Sequence, residues 1–253
     1  MGGYTSPLIA VSSVMMPDAP TLLLFPGLGA DARTYGPQQS LPVRLEFAQW
    51  PEPESATESL AHYSQRLAEA IGPREGLYVG GVSMGAMVAL EAARLLNARG
   101  VFLIGGCTSG RQISPLFRSV LQMSGAMPTR FVGPALRLSP LAFLAFERLS
   151  REHRRLMTRM LREHSPTQVQ WSCRAILEWE CCAAPPEAPV HAIHGQDDEV
   201  VPLQNVRADR VVPGGRHMIS LQEPGEVNRF IVERIGAAER SGRAPGEEPS
   251  AVR

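Results

Sequence analysis

A serine between two glycines, an aspartate pair after a later apolar run and a histidine after the last such run are the residues whose types and order could carry chemistry. Ser83 stands in Tyr78-Val79-Gly80-Gly81-Val82-Ser83-Met84-Gly85-Ala86-Met87, where a strand-like apolar run meets a helix-like one. Gly-x-Ser-x-Gly at such a joint is the pattern of a nucleophile elbow, a strained strand-to-helix turn that projects the hydroxyl above a parallel sheet. Glycine is needed on both sides because the two backbones approach too closely for a Cβ atom. Serine alone is a poor nucleophile and needs a base within hydrogen-bond reach, with a carboxylate to orient that base. Both are supplied further on: Asp198, with Asp197 beside it, in His194-Gly195-Gln196-Asp197-Asp198-Glu199-Val200-Val201-Pro202, and His217 in Pro213-Gly214-Gly215-Arg216-His217-Met218. This is the equipment of nucleophilic acyl transfer.

These residues must be brought together by the elements around them. Thr21 to Phe25, Val43 to Trp50, Leu77 to Val82, Val101 to Gly105, Val190 to His194 and Arg210 to Val212 read as strands, and helix-like segments separate the first four. Strand and helix in alternation signal a parallel sheet, whose loops at the carboxyl ends of the strands open onto one face. Ser83, Asp198 and His217 all follow strands, so the three can meet there. The pattern Ser55-Ala56-Thr57-Glu58 reads as a capping box opening a helix, and Glu223 to Ala238 as a closing amphipathic helix. Between Cys107 and Pro186 the alternation stops. That stretch is rich in Met, Leu, Phe and Arg, and Ser165-Pro166-Thr167-Gln168 marks one helix start within it. It reads as a helical cap inserted into the core.

The division expected is therefore an N-terminal extension over 1–19, a core over 20–106 and 187–239, a cap over 107–186 and a disordered tail over 240–253. Met15 and Met16 precede the first clear strand, so residues 1–14 read as a misplaced start or a disordered leader.

Composition narrows the function classes. The 253 residues balance 25 arginines, with no lysine, against 25 acidic side chains, which leaves no basic footprint for nucleic acid. Four cysteines, Cys107, Cys173, Cys181 and Cys182, show no C-x-x-C spacing, which argues against a zinc site or a disulfide framework. With no signal-peptide pattern and no membrane-length apolar run, a cytoplasmic protein with reduced thiols is expected. No metal or cofactor is expected, and oligomeric state stays open.

Other chemistry-bearing residues read as structural. His191 and His194 lie within a strand; His62, His153 and His164 sit in polar helical segments; Asp31 is placed to cap a turn. The arginine-rich run from Arg148 to Arg162 is interleaved with Glu152 and flanked by Glu147 and Glu163, and reads as a solvated helix face.

Gly81-x-Ser83-x-Gly85, Gly195-x-x-Asp198-x-x-Val201-Pro202 and His217 before the final helix, in the chain order Ser, Asp, His, resemble the α/β-hydrolase superfamily over residues 20–238. The elbow Gly-Val-Ser-Met-Gly, the Phe25 to Asp31 segment and the Trp50-Pro51 step resemble a compact bacterial branch of small carboxylesterases. The resemblance implies an α/β fold with a mostly parallel sheet of about six strands, helices on both faces and a helical cap. Its Gly-x-x-Asp spacing favours Asp198 over Asp197 as the triad acid. It further implies an oxyanion hole from the backbone N–H groups of Leu28 and Met84. Two departures stand out: Pro26-Gly27 replaces the usual His-Gly, and the early antiparallel hairpin is not evident. The activity implied is hydrolysis of carboxylic esters with an apolar acyl or alcohol group. A thioesterase, with Arg111, Arg118 and Arg130 meeting a phosphopantetheine, or a lactonase would use the same triad. A non-catalytic binding protein is disfavoured because all three triad positions are filled.

Overall fold

Leu22 to Phe25, Leu77 to Val82 and Gly100 to Ile104 are buried at every position, because helices cover both faces of the strands they form. The computed structural model describes residues 8–11, 19–131, 149–181 and 187–242. Seven strands, β1 (Leu8–Val11), β2 (Thr21–Phe25), β3 (Arg44–Ala48), β4 (Leu77–Val82), β5 (Gly100–Ile104), β6 (Val190–Gly195) and β7 (Arg210–Val212), make one sheet. Their order is β1-β3-β2-β4-β5-β6-β7. β1 runs antiparallel to β3, and the other neighbours are parallel.

Alternate side chains of each central strand enter different layers. Leu23, Phe25, Val79, Val101 and Leu103 pack under helices α1 (Leu60–Ile71) and α2 (Met84–Ala92). Leu22, Leu24, Tyr78, Phe102 and Ile104 pack on the opposite face against the short α6 (Ile219–Gln222) and the closing α7 (Pro224–Gly242). The insertion between β5 and β6 supplies α3 (Pro115–Ala126), α4 (Arg151–Glu163) and α5 (Pro166–Glu178). Ser165 caps α5 by accepting the Gln168 N–H at 3.0 Å, as its sequence signals. The insertion is anchored on the core where the buried Trp171 donates its indole N–H to the Glu58 carbonyl at 2.8 Å and lies 4.3 Å from the Tyr63 ring.

Four expectations need correction or restriction. Residues 8–11, expected in an extension outside the core, form β1, pairing Leu8 with Ala48 through Val11 with Leu45. The antiparallel element expected to be missing is thus represented by this edge strand, which joins the six parallel strands expected. Helix α1 begins at Leu60 rather than at Ser55: Ser59 is its cap, accepting the His62 N–H, while the Glu58 carboxylate accepts the Glu54 N–H and closes a separate turn. The last helix continues to Gly242, and the tail beyond it, like Cys182 and cap residues 132–148, lies outside the described residues.

Candidate active site

Ser83 leaves β4 and enters α2 with φ 55° and ψ −119°, a backbone conformation that costs a side-chain-bearing residue energy and that tight packing must hold in place. The packing is explicit. A Cβ on Gly81 would lie 2.2 Å from the Gly85 carbonyl carbon, and one on Gly85 would lie 1.9 Å from the Phe25 carbonyl oxygen. Backbone cannot yield as a flexible side chain can. Gly85→Ala is therefore expected to destabilise the fold by at least about 3 kcal/mol, the upper range of overpacking costs. Urea unfolding checks this; a loss under about 1 kcal/mol would show that the turn relaxes freely.

Tyr35, which no sequence signal marked, fixes the elbow to its neighbour. Its fully buried phenol donates to the Phe25 carbonyl at 2.6 Å and accepts the Val82 N–H at 3.0 Å. Burial pushes that phenol far above its ordinary range, so it remains a donor. One hydroxyl thereby sets the spacing between the end of β2, which leads to Leu28, and the end of β4, which leads to Ser83.

The loops after β6 and β7 bring up the other two groups. The Asp197 N–H donates to the Gly215 carbonyl at 2.8 Å and clips the loops together. His217 then stands between Ser83 and Asp198: its Nδ1 is 2.9 Å from Asp198 Oδ2 and its Nε2 is 3.0 Å from Ser83 Oγ. A carboxylate only accepts, so Nδ1 carries the proton and Nε2 presents a lone pair to the Ser83 hydroxyl. Of the two neighbouring aspartates, Asp198 is buried and faces His217, whereas Asp197 is exposed.

Asp198 is held by four donors. Oδ1 accepts the N–H groups of Val200 and Val201, both at 2.9 Å; Oδ2 accepts His217 and lies 3.2 Å from His194 Nε2. Burial alone would push the Asp198 carboxyl up. Attraction to His217 when that ring is protonated and the hydrogen bonds from His194, His217 and the Val201 N–H outweigh that and hold it well below the usual carboxylate range. His194 Nε2 also lies 2.8 Å from the Val201 carbonyl, so both of its partners are acceptors and Nε2 is the protonated nitrogen. Sequence reasoning placed His194 as a strand residue and missed this contact. The signal was its position four residues before Asp198 at the carboxyl end of β6.

Leu28 and Met84 flank the serine. Met84 is the first residue of α2, and Leu28 follows Gly27, whose added Cβ would stand 3.7 Å from Ser83 Cβ. The Trp50 indole N–H reaches the Gly27 carbonyl at 3.4 Å, and the Ala30 N–H closes a turn onto the same carbonyl at 3.2 Å. Pro26 therefore leaves the loop beside the elbow.

Ser83 and His217 open into a cavity of about 310 Å³ that residues of the insertion also line. One side is apolar, with Met87, Ile113, Phe117, Val120, Leu121 and Ile176; the other is a stripe of α4. Cys107 also borders it, but burial pushes its thiol up to about 12, which removes it as a competing nucleophile at neutral pH. Glu54, Glu58 and His62 bring possible metal-ligand atoms within 4.8 Å of one another, but Arg66 Nε already pairs with Glu58 at 3.0 Å and supplies the charge a metal would. Arg111, named for a phosphopantetheine, pairs instead with Glu180 at 2.8 Å.

A parallel sheet whose β4 ends in a serine elbow, with an aspartate and a histidine from the last strand loops, defines a hydrolase of α/β type. Residues 13–230 match the model of the Alpha/beta hydrolase family, and the chain belongs to that family. None of the curated proteins compared matches it. Among solved structures it is similar to a hydrolase from Oleispira antarctica, with 12% identity, TM-score 0.70, and 90% of this chain and 94% of that one covered. It is similar to a thermophilic esterase from Thermogutta terrifontis, with 17% identity, TM-score 0.61 and coverage of 91% and 98%. It is also similar to an enol-lactonase from Burkholderia xenovorans, with 13% identity, TM-score 0.65 and coverage of 90% and 96%. At these identities the likeness concerns the fold.

Proposed function

We propose that this chain is a serine hydrolase of carboxylic esters. The observation that carries the reading is His217 bridging Ser83 and Asp198 at 3.0 and 2.9 Å, over a cavity large enough for a small acyl chain. Ser83 Oγ attacks the acyl carbonyl carbon while His217 Nε2 takes its proton. The tetrahedral oxyanion is met by the N–H groups of Leu28 and Met84, donors of a kind worth about a hundred- to a thousandfold in rate each. The protonated imidazole then gives its proton to the departing alkoxide, leaving an acyl-enzyme on Ser83. Water, deprotonated by His217, attacks the acyl carbon and restores the serine. Asp198 keeps the imidazole in its working tautomer throughout.

The apolar flank favours an apolar acyl or alcohol group, and the helices of 107–186 act as the cap over it. A lactone would meet the same groups and open to a hydroxy acid. Cytoplasmic residence belongs to the same reading. It is supported by Cys107 and Cys173 standing as thiols.

Hydrolysis of a p-nitrophenyl ester series from acetate to palmitate tests the proposal. Turnover of the short or medium members by the wild type supports it, and no turnover of any ester, thioester or lactone by folded protein sinks it.

His194 acts here as a positioning residue. His194→Leu removes one of the four donors on Asp198 and is expected to lower kcat about tenfold with KM little changed, the scale of one hydrogen bond to a charged group. His194→Gln, whose amide can still donate, should recover part of that loss. Equal loss in both variants would mean that the ring serves only packing.

A further inference from the structure

The cavity side of α4 breaks its own pattern. Arg154, Met157, Thr158 and Leu161 all border the cavity, at the i, i+3, i+4, i+7 spacing of one helix face. Three of them suit an apolar wall: Leu161 lies over the Gly29 loop, where an added Cβ would meet its Cδ1 at 2.5 Å, and Thr158 turns its hydroxyl back to the Arg154 carbonyl at 2.8 Å. The fourth is a half-buried arginine about 10 Å along the helix axis from Leu161.

Among the described residues, neither Arg154 nor its neighbours Arg155, Arg159 and Arg162 have an ion-pair partner. Of the acidic residues of α4, Glu163 pairs with Arg33, and the exposed Glu152 lines a neighbouring groove with Arg155 and Arg159. The four arginines and Thr158 together line one groove, and Arg154 belongs both to that groove and to the Ser83 cavity. Arg155, Arg159 and Arg162 are exposed, as a solvated face requires, while Arg154 is half-buried and also borders the apolar cavity. Four like charges along one groove repel one another, and a bound anion offsets that repulsion with bidentate geometry.

We propose that Arg154, backed by Arg155, Arg159 and Arg162, forms an anion subsite where the cavity meets the outer face of α4, so that the ester taken by this enzyme carries a carboxylate or phosphate besides its apolar chain. This rests on Ser83 being the nucleophile only in assigning the ligand as a substrate. The apolar wall holds the chain, the arginine holds the charged group, and the acyl carbon is presented to Ser83 between them.

Binding to the Ser83→Ala protein, measured by calorimetry, separates the two questions because no turnover is needed. Mono-p-nitrophenyl adipate is compared with neutral p-nitrophenyl hexanoate, and S-hexanoyl-4′-phosphopantetheine with S-hexanoyl-pantetheine. The anionic member of at least one pair is expected to bind about ten- to hundredfold tighter, the value of a hydrogen bond to a charged group, and to lose most of that advantage in added salt. The first pair identifies a carboxylate on the acyl arm and the second a phosphate on the leaving arm. Adding Arg154→Gln should abolish the difference between the anionic and neutral members. Equal binding within both pairs overturns the proposal, as does a preference that survives Arg154→Gln. If the pairs separate but the wild type hydrolyses none of the four, ester hydrolysis fails and the anion subsite stands. If the wild type turns over neutral and anionic members alike and the pairs do not separate, the subsite fails and the hydrolase stands.

Discussion

Ser83→Ala is expected to lower kcat for ester hydrolysis about a millionfold, the loss found when the serine or histidine of such a triad is removed. The reason is chemical. Without Oγ there is no acyl-enzyme, and water must attack the bound ester with help only from the Leu28 and Met84 N–H groups and from binding. KM should change little, because the hydroxyl contributes one hydrogen bond, to His217 Nε2 at 3.0 Å, in the resting protein. Stability should hold within about 1 kcal/mol, since alanine occupies the strained turn as serine does and only that one bond is lost. Steady-state kinetics and urea unfolding on the same preparation check both statements. A drop in rate accompanied by a comparable loss of stability would point to collapse of the elbow instead of loss of the nucleophile.

Asp198→Asn should cost about ten-thousandfold in kcat, the scale of a wrong imidazole tautomer. The side-chain oxygen of asparagine can go on accepting the Val200 and Val201 N–H groups, now received at 2.9 Å each. Its NH₂ group then faces His217 Nδ1, which must accept in place of donating. The ring proton moves to Nε2, the atom that ought to receive the Ser83 proton, and the base is lost without any change of shape.

The same substitution has a pH signature. The Asp198 carboxyl is held below its unfolded value of 3.8, so in the folded state the carboxylate contributes stability that is fully present above that pH. The contribution is lost progressively as pH falls below 3.8 towards the folded value, because the unfolded chain then takes up the proton first. Asparagine has no such dependence. The stability lead of the wild type over Asp198→Asn, measured by urea unfolding across an acid series, should therefore be greatest near neutrality and shrink on acidification. A lead independent of pH would mean that Asp198 is not stabilised as the anion.

Much of this molecule is written locally in its sequence. The strands that hold the site are continuous apolar runs because each is covered on both faces, and that burial leaves the same trace wherever it occurs. The elbow is legible for a related reason: Gly81 and Gly85 are dictated by backbone approaches of 2.2 and 1.9 Å, which no other residue tolerates. The order of Ser83, Asp198 and His217 along the chain follows from the order in which their strands end.

Features that depend on distant pairing leave no local trace. β1 is an edge strand with one neighbour, and its register with β3, Leu8 on Ala48, joins residues that nothing in either segment associates. Tyr35 sits in a short 3₁₀ segment between Ala32 and Ser40, where a tyrosine promises only burial; that its hydroxyl bridges Phe25 and Val82 is a fact of three dimensions. His194 follows the alternation of a strand and reads as core, although the residue it touches lies four positions on. Arg154 is one arginine in a run of them, distinguished only by the helix face that turns it to the cavity. For β1, Tyr35 and His194 the residue type was visible and its partner was not.

The measurement closest to the central claim is reaction of the intact protein with a fluorophosphonate, followed by peptide mass mapping. A reactive nucleophile at Ser83 predicts one phosphonyl adduct, located on the peptide containing Ser83, absent from Ser83→Ala and formed far more slowly by His217→Ala. An adduct on another residue, or none on protein whose fold is intact, would contradict it.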